Sequence, residues 1–159
     1  MLGLIMLAGL FVSNIMNNNL RSEVNLTDIT ADKDQEITIF LLNQPSLSWK
    51  TVSNSKNFCV FKNLDATNIH FPVSLWVQCG EFTVKDNKLE QHSGSSGPVL
   101  VDYSLEKGYI MQTPKDGSLY APDIRTIFPK KVQEKIFNQD ATLNGNRLKA
   151  LAEKELLLQ

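Results

Sequence analysis

Apolar positions change their spacing several times along this chain. Residues 1–16, MLGLIMLAGLFVSNIM, form an apolar run interrupted only by Ser13 and Asn14. Residues 17–26 are polar and read as a linker. From Thr30 to Asn43 the spacing is helical: Ile29, Ile37, Phe40 and Leu41 share one face, Thr27 or Thr30 can cap it, and Pro45 stops it. Residues 45–57, PSLSWKTVSNSKN, are turn-rich, with Trp49 as their apolar anchor.

The period then becomes two. Phe58–Leu64 predicts a short strand and Phe71–Val84 a long one, with Phe71, Val73, Leu75, Val77 and Cys79 on one face. Gly80 interrupts the alternation, and Phe82 and Val84 continue on the other parity, which predicts a bulge at Gly80. Lys85 to Lys88 make a turn, Leu89–Tyr103 returns as a third strand, and Tyr109–Thr113 closes a four-stranded meander. Pro114-Lys115-Asp116-Gly117 is a strong turn. Helices follow over Asp123–Phe128, Pro129–Asn138 and Arg147–Leu158, with Asn144-Gly145-Asn146 as a break before the last.

Composition narrows the function classes. Over 159 residues the formal net charge is −1, with an acidic bias between Arg21 and Glu36 and a weakly basic one beyond Arg125. Nucleic-acid binding needs a dense Lys/Arg stripe, which this distribution lacks. The apolar start resembles the hydrophobic region of a signal peptide or a short anchor, although no basic residue precedes it; the alternative is a buried helix. It is shorter than the ~20 residues of a comfortable membrane span. Cys59 and Cys79 lie twenty apart, outside zinc spacings, with only two histidines in the chain. Asp65, Asp86, Asp116 and Asp123 fall in four different turns, so neither a metal nor a cofactor site is read.

QHSGSSGP, residues 91–98, invites a chemical reading. A phosphate loop needs a lysine after its last glycine, and here Pro98 follows Gly97. A nucleophile elbow needs GxSxG between strand and helix, and here the spacing is GSSG with strand on both sides. A bent strand is the better reading. With Asp86 and Asn87 as the turn centre, Gly94 falls opposite Cys79, Gly97 opposite Trp76 and Glu81 opposite His92. Cys79, His92 and Glu81 then form a weak candidate constellation for thiol or hydrolytic catalysis. A cross-strand ion pair beside a structural cysteine is the plainer alternative.

The most specific surface segment is PKDGSLYAPDIRTIFP, residues 114–129. Its prolines and glycine fix the backbone, while Leu119, Ile124, Ile127 and Phe128 can pack back onto the sheet as a latch. Ser118 can cap the helix that follows, and Asp123 suits its first turn. Asp116, Tyr120 and Asp123, with Trp76, are the candidate binding residues. Together with WVQCGEF at 76–82 and SGSSGPV at 93–99, this segment resembles a group of small exported bacterial proteins of unknown function. The resemblance spans roughly residues 58–138; it implies an extracytoplasmic location and no known activity, and it transfers no catalytic residue.

The expected fold is α+β: an N-terminal helix packed on a curved four-stranded antiparallel meander, with C-terminal helices. The order resembles cystatin-like or NTF2-like rolls by analogy. Residues 1–16 are expected as signal peptide or membrane anchor, 17–26 as linker, 27–138 as the α+β domain and 139–159 as a C-terminal helix. The expected function is that of a non-catalytic extracytoplasmic binding or accessory domain, secreted or tethered, with an unknown protein or small-molecule partner. The membrane would be met only through the N-terminal segment. The NLT at 25–27 is a glycosylation sequon in a eukaryotic secretory route.

In an oxidising compartment Cys59 and Cys79 are disulfide candidates. A turn centred near Asn68 and Ile69 sets them directly opposite, within slight adjustment of bridging geometry. A turn centred on Asp65–Asn68 would instead slide Cys59 to about residue 74 and leave both thiols free.

Overall fold

The computed structural model describes residues 31–138 and 141–157. The apolar run at 1–16, the linker, the sequon and the cap candidates Thr27 and Thr30 lie outside the described residues. Helix α1 (Ala31–Leu42) precedes strands β1 (Lys56–Asn63), β2 (Val73–Lys85), β3 (Lys88–Ser104) and β4 (Gly108–Gln112). One turn of 3₁₀ helix (Gly117–Leu119) leads into α2 (Tyr120–Ile127), α3 (Lys130–Phe137) and α4 (Ala141–Leu157). The strands form one antiparallel sheet in the order β1-β2-β3-β4. This is the α+β meander that the spacing predicts.

The long strand β2 is apolar on both faces, and that sets the layering. Val73, Leu75, Val77 and Cys79 share a core with Ile37 and Leu41 of α1, Leu47, Cys59, Val99 and Val101. On the opposite face Trp76 packs with Leu64, Ile124, Phe128, Val132 and Ile136. Farther along that face Phe82 packs with Val60, Leu148 and Ala152. The sheet is thus a middle layer, with α1 on one side and α2 to α4 on the other. Each fully buried Val, Leu or Ile contributes about 2 kcal/mol to holding the layers together.

Several expectations are corrected. The alternation of β2 does not break at Gly80, because Phe82 continues the face that Trp76 opens. Gly80 instead makes room for α4: a Cβ there would lie 2.8 Å from the Phe82 ring and 3.1 Å from Leu148. The bulge is on β3. Asp86 and Asn87 take φ of 50° and 57°, as a two-residue hairpin turn requires. The register counted from them holds as far as Phe82↔Gln91, then shifts so that Glu81 meets Ser93 and His92 is the extra residue. Cys79 therefore faces Ser95, Trp76 faces Pro98, and Gly97 faces Val77. Residues 144–146 do not break the chain, since α4 runs through Gly145. The anchor of the turn-rich segment is Leu47, at 8% exposure, while Trp49 is 39% exposed. Of the latch residues, Ile124 and Phe128 are buried and Ile127 partly so, but Leu119 is exposed.

Cys59 and Cys79 are opposed in the β1–β2 ladder and disulfide-bonded, with Cα atoms 4.1 Å apart. Intact-mass analysis after non-reducing alkylation should therefore show neither cysteine labelled. The bond closes a sequence separation of 20, worth about 3 kcal/mol by chain entropy. A Cys59→Ser, Cys79→Ser double variant should lower the urea-unfolding free energy by that order, and an unchanged value would contradict the assignment.

Candidate functional site

The sequence offers two regions for chemistry, around Glu81 and around the 114–129 segment, and the fold treats them differently.

Glu81 continues the row of Val73 to Cys79 into the core and is 1% exposed. A carboxylate in that row must be satisfied, and the turn-rich segment supplies the donors. Oε1 accepts from the Thr51 N–H at 2.7 Å, the Val52 N–H at 2.8 Å and the Ser55 hydroxyl at 2.5 Å. Oε2 accepts from the Thr51 hydroxyl at 2.6 Å and the Ser93 hydroxyl at 3.0 Å. Burial alone would push this carboxyl up. The hydrogen bonds from Ser55, Thr51 and Val52 outweigh it and hold the group well below the usual carboxylate range.

The three catalytic candidates are not brought together. Cys79 sulfur is bonded to Cys59. The His92 Nε2 lies 2.6 Å from the Thr83 hydroxyl, outside the ladder as the bulge residue. Glu81 is saturated by the donors above. One inserted residue in β3, invisible to a count from the hairpin turn, moved His92 away from Glu81. Among the described residues no three His, Cys, Asp or Glu side chains cluster as a metal site.

Two of the four binding candidates do meet. Asp116 and Tyr120 line an open cleft of about 390 Å³, together with Ser46, Leu47, Trp49, the run Ser95 to Val99, Thr113 and Pro114. That volume lies within the range of ligand sites. Asp116 stands at the start of the 3₁₀ turn without a side-chain capping bond, leaving its carboxylate unspent on the fold. Tyr120 has its phenol pushed up by burial and then by the negative charge of Asp116. Asp123 is structural, accepting the Lys115 N–H at 2.9 Å. Ser118 caps no helix, since Asp116 and Leu119 occupy the two cap positions. Trp76 is buried on the opposite face from Leu47, with its Nε1–H donating to the Ser96 hydroxyl at 3.1 Å.

The serines of QHSGSSGP are thus structural: Ser93 serves Glu81, Ser95 donates to the Leu47 carbonyl at 2.6 Å, and Ser96 receives Trp76. Residues 95–98 form both a strand and the wall of the cleft. Sequence reasoning missed Leu47, Thr113 and Pro114 as cleft residues, and missed the cradle of Thr51, Val52 and Ser55. The clue to the cradle was the cluster of hydroxyl residues in TVSNS, facing an acid set in an apolar row.

No family model matches this chain, and neither a curated protein nor a solved structure matches it. Among the described residues no helix is long and apolar enough to cross a membrane.

The Glu81 cradle predicts a pH dependence. A carboxyl held below its ordinary value of 4.5 stabilises the fold above that pH, and the contribution is lost as pH falls through the folded value. Glu36, held down by Lys33 and Tyr109, and Asp65, held down by Lys131 and Thr67, act with the same sign. Urea midpoints should therefore fall as pH drops below about 4.5. Glu81→Gln should start lower at pH 7, because its amide would turn an N–H at one of the donors, and should show a shallower acid slope. Equal slopes in the two proteins would count against Glu81 as the dominant group.

Proposed function

We propose that this protein is a non-catalytic, extracytoplasmic binding or accessory domain, and that its ligand occupies the cleft between the 46–49, 95–99 and 113–120 segments. The observation that carries this reading is the cleft itself. Three segments far apart in sequence converge on it, and an aromatic pair, Trp49 and Tyr120, lines it beside the carboxylate of Asp116. Such a lining holds and orients a molecule. Support for the compartment comes from the Cys59–Cys79 bond, since disulfides persist in oxidising environments, and from the apolar residues 1–16.

Substitution at Gly97 isolates the cleft. Gly97 lines the cleft and a Cβ there meets nothing within 4 Å, so a side chain can leave the strand at this position without a clash at its first atom. Gly97→Phe should shift Tm by no more than about 4 °C. Screening a library of small polar and aromatic fragments by amide NMR should give perturbations at the non-proline residues of 46–49, 95–99 and 113–120, lost in Gly97→Phe. Perturbations spread evenly over the surface, or unchanged in the variant, would refute the site. Separately, a fusion of residues 1–25 to a periplasm-dependent reporter should be exported; cytosolic retention would refute the compartment.

A further inference from the structure

The shape of the cleft says more about its ligand, on the premise that it is a binding site. Five successive residues, Ser95 to Val99, line it. Successive residues of a strand point to opposite faces, so a cavity touched by all five lies against the edge of β3, in the plane of the sheet. That edge is open. β4 pairs only with Leu100 to Ser104, and among the described residues no strand pairs with the outer side of Lys88 to Val99. The ladder stops for a covalent reason. Two residues beyond Leu100↔Gln112, the register would set Pro98 against Pro114, and neither has an N–H. The chain leaves the sheet there, and the cleft is the place that a longer β4 would fill.

The direction of the backbone groups follows from the disulfide pair. Cα atoms 4.1 Å apart mark Cys59 and Cys79 as a narrow, non-hydrogen-bonded pair, so Cys79 turns its N–H and C=O toward Ser95. Alternation along β3 then points the N–H and C=O of Ser96, and the C=O of Pro98, out into the cleft. Leu100, next in the same phase, faces β4, where its partner is Gln112. The missing N–H of Pro98 therefore costs the β2–β3 ladder nothing.

Side-chain chemistry completes the slot. Leu47 and Trp49 bound it from one side, and Asp116 and Tyr120 also line it. Asp116 is the only charged lining residue among those described, so the slot favours a cation over an anion. We infer that the cleft takes an extended peptide segment of a partner protein. The peptide adds as a strand to the outer edge of β3 and places a Lys or Arg side chain near Asp116, Trp49 and Tyr120. Main-chain hydrogen bonds to Ser96 and Pro98 would supply affinity, and the acid with its aromatic neighbours the selectivity.

The test uses a capped heptapeptide of alternating valine and lysine, its valine–glutamate counterpart, and two copies of the first, each N-methylated on the alternate amides of one edge only. Binding is read by the fluorescence of the partly exposed Trp49. The lysine peptide should bind and the glutamate peptide should bind more weakly. Both N-methylated versions should be compared, and the one blocking the bonding edge should fail. Asp116→Asn should weaken the lysine peptide about threefold, the size of a partly exposed ion pair, and Gly97→Phe should abolish binding. The proposal is overturned if both N-methylated copies bind like the parent, if tetramethylammonium displaces the peptide at equal concentration, or if the lysine peptide does not bind at millimolar concentration. If the peptides fail while fragments still perturb the cleft in a Gly97→Phe-sensitive way, the binding-domain reading stands and the strand proposal falls.

Discussion

A strand that is apolar on both faces cannot end a structure; it has to be covered twice. β2 is such a strand, and its alternating Val, Leu and Cys against Trp and Phe commit the molecule to three layers. One helix from before the sheet covers one side. The helices after β4 cover the other, and they are tied to the sheet's first half by side chains reaching back. Lys135 donates to the Leu64 carbonyl at 2.8 Å, Lys131 pairs with Asp65, and Arg147 donates to the Phe61 carbonyl at 3.1 Å. At its other end α1 is fixed by Lys33, which bonds Glu36 and lies over the Tyr103 ring, while Tyr109 donates to Glu36 at 2.6 Å.

Glu81 is the buried charged residue of β2, and it organises what the helices do not reach. A carboxylate accepting from five neutral donors draws the segment around Thr51 to Ser55 onto the end of the sheet. Ser95 holds the same segment farther along, through the Leu47 carbonyl. The 46–49 side of the cleft is therefore held by polar bonds, while the 95–99 side is the strand β3 itself.

The elements were legible because their signals are local. Period-two spacing located the four strands, Asp86-Asn87 located the hairpin turn, and the opposition of Cys59 and Cys79 followed from one correctly placed turn. What was not legible depended on contacts between segments. The His92 bulge leaves no mark in hydrophobic periodicity, because Gln91, His92 and Ser93 are all polar. Trp49 looked like an anchor by size, yet Leu47 is the residue that meets the α1 core. Of the site, Asp116 and Tyr120 were marked by an unusually constrained turn, whereas their approach to Gly97 and Pro98 required knowing where β4 ends.

The bulge at His92 has a consequence for how copies of this protein meet one another. Among the described residues, no strand pairs with the outer side of the twelve residues of β3 from Lys88 to Val99, and an unpaired edge of that length is a template for stacking into aggregates. The extra residue interrupts the edge near its middle and sharpens its twist, while Pro98 withholds a donor near one end and Lys88 places a charge at the other. Each remaining stretch is short and bent, which disfavours edge-to-edge stacking of whole sheets while leaving room for a single short strand.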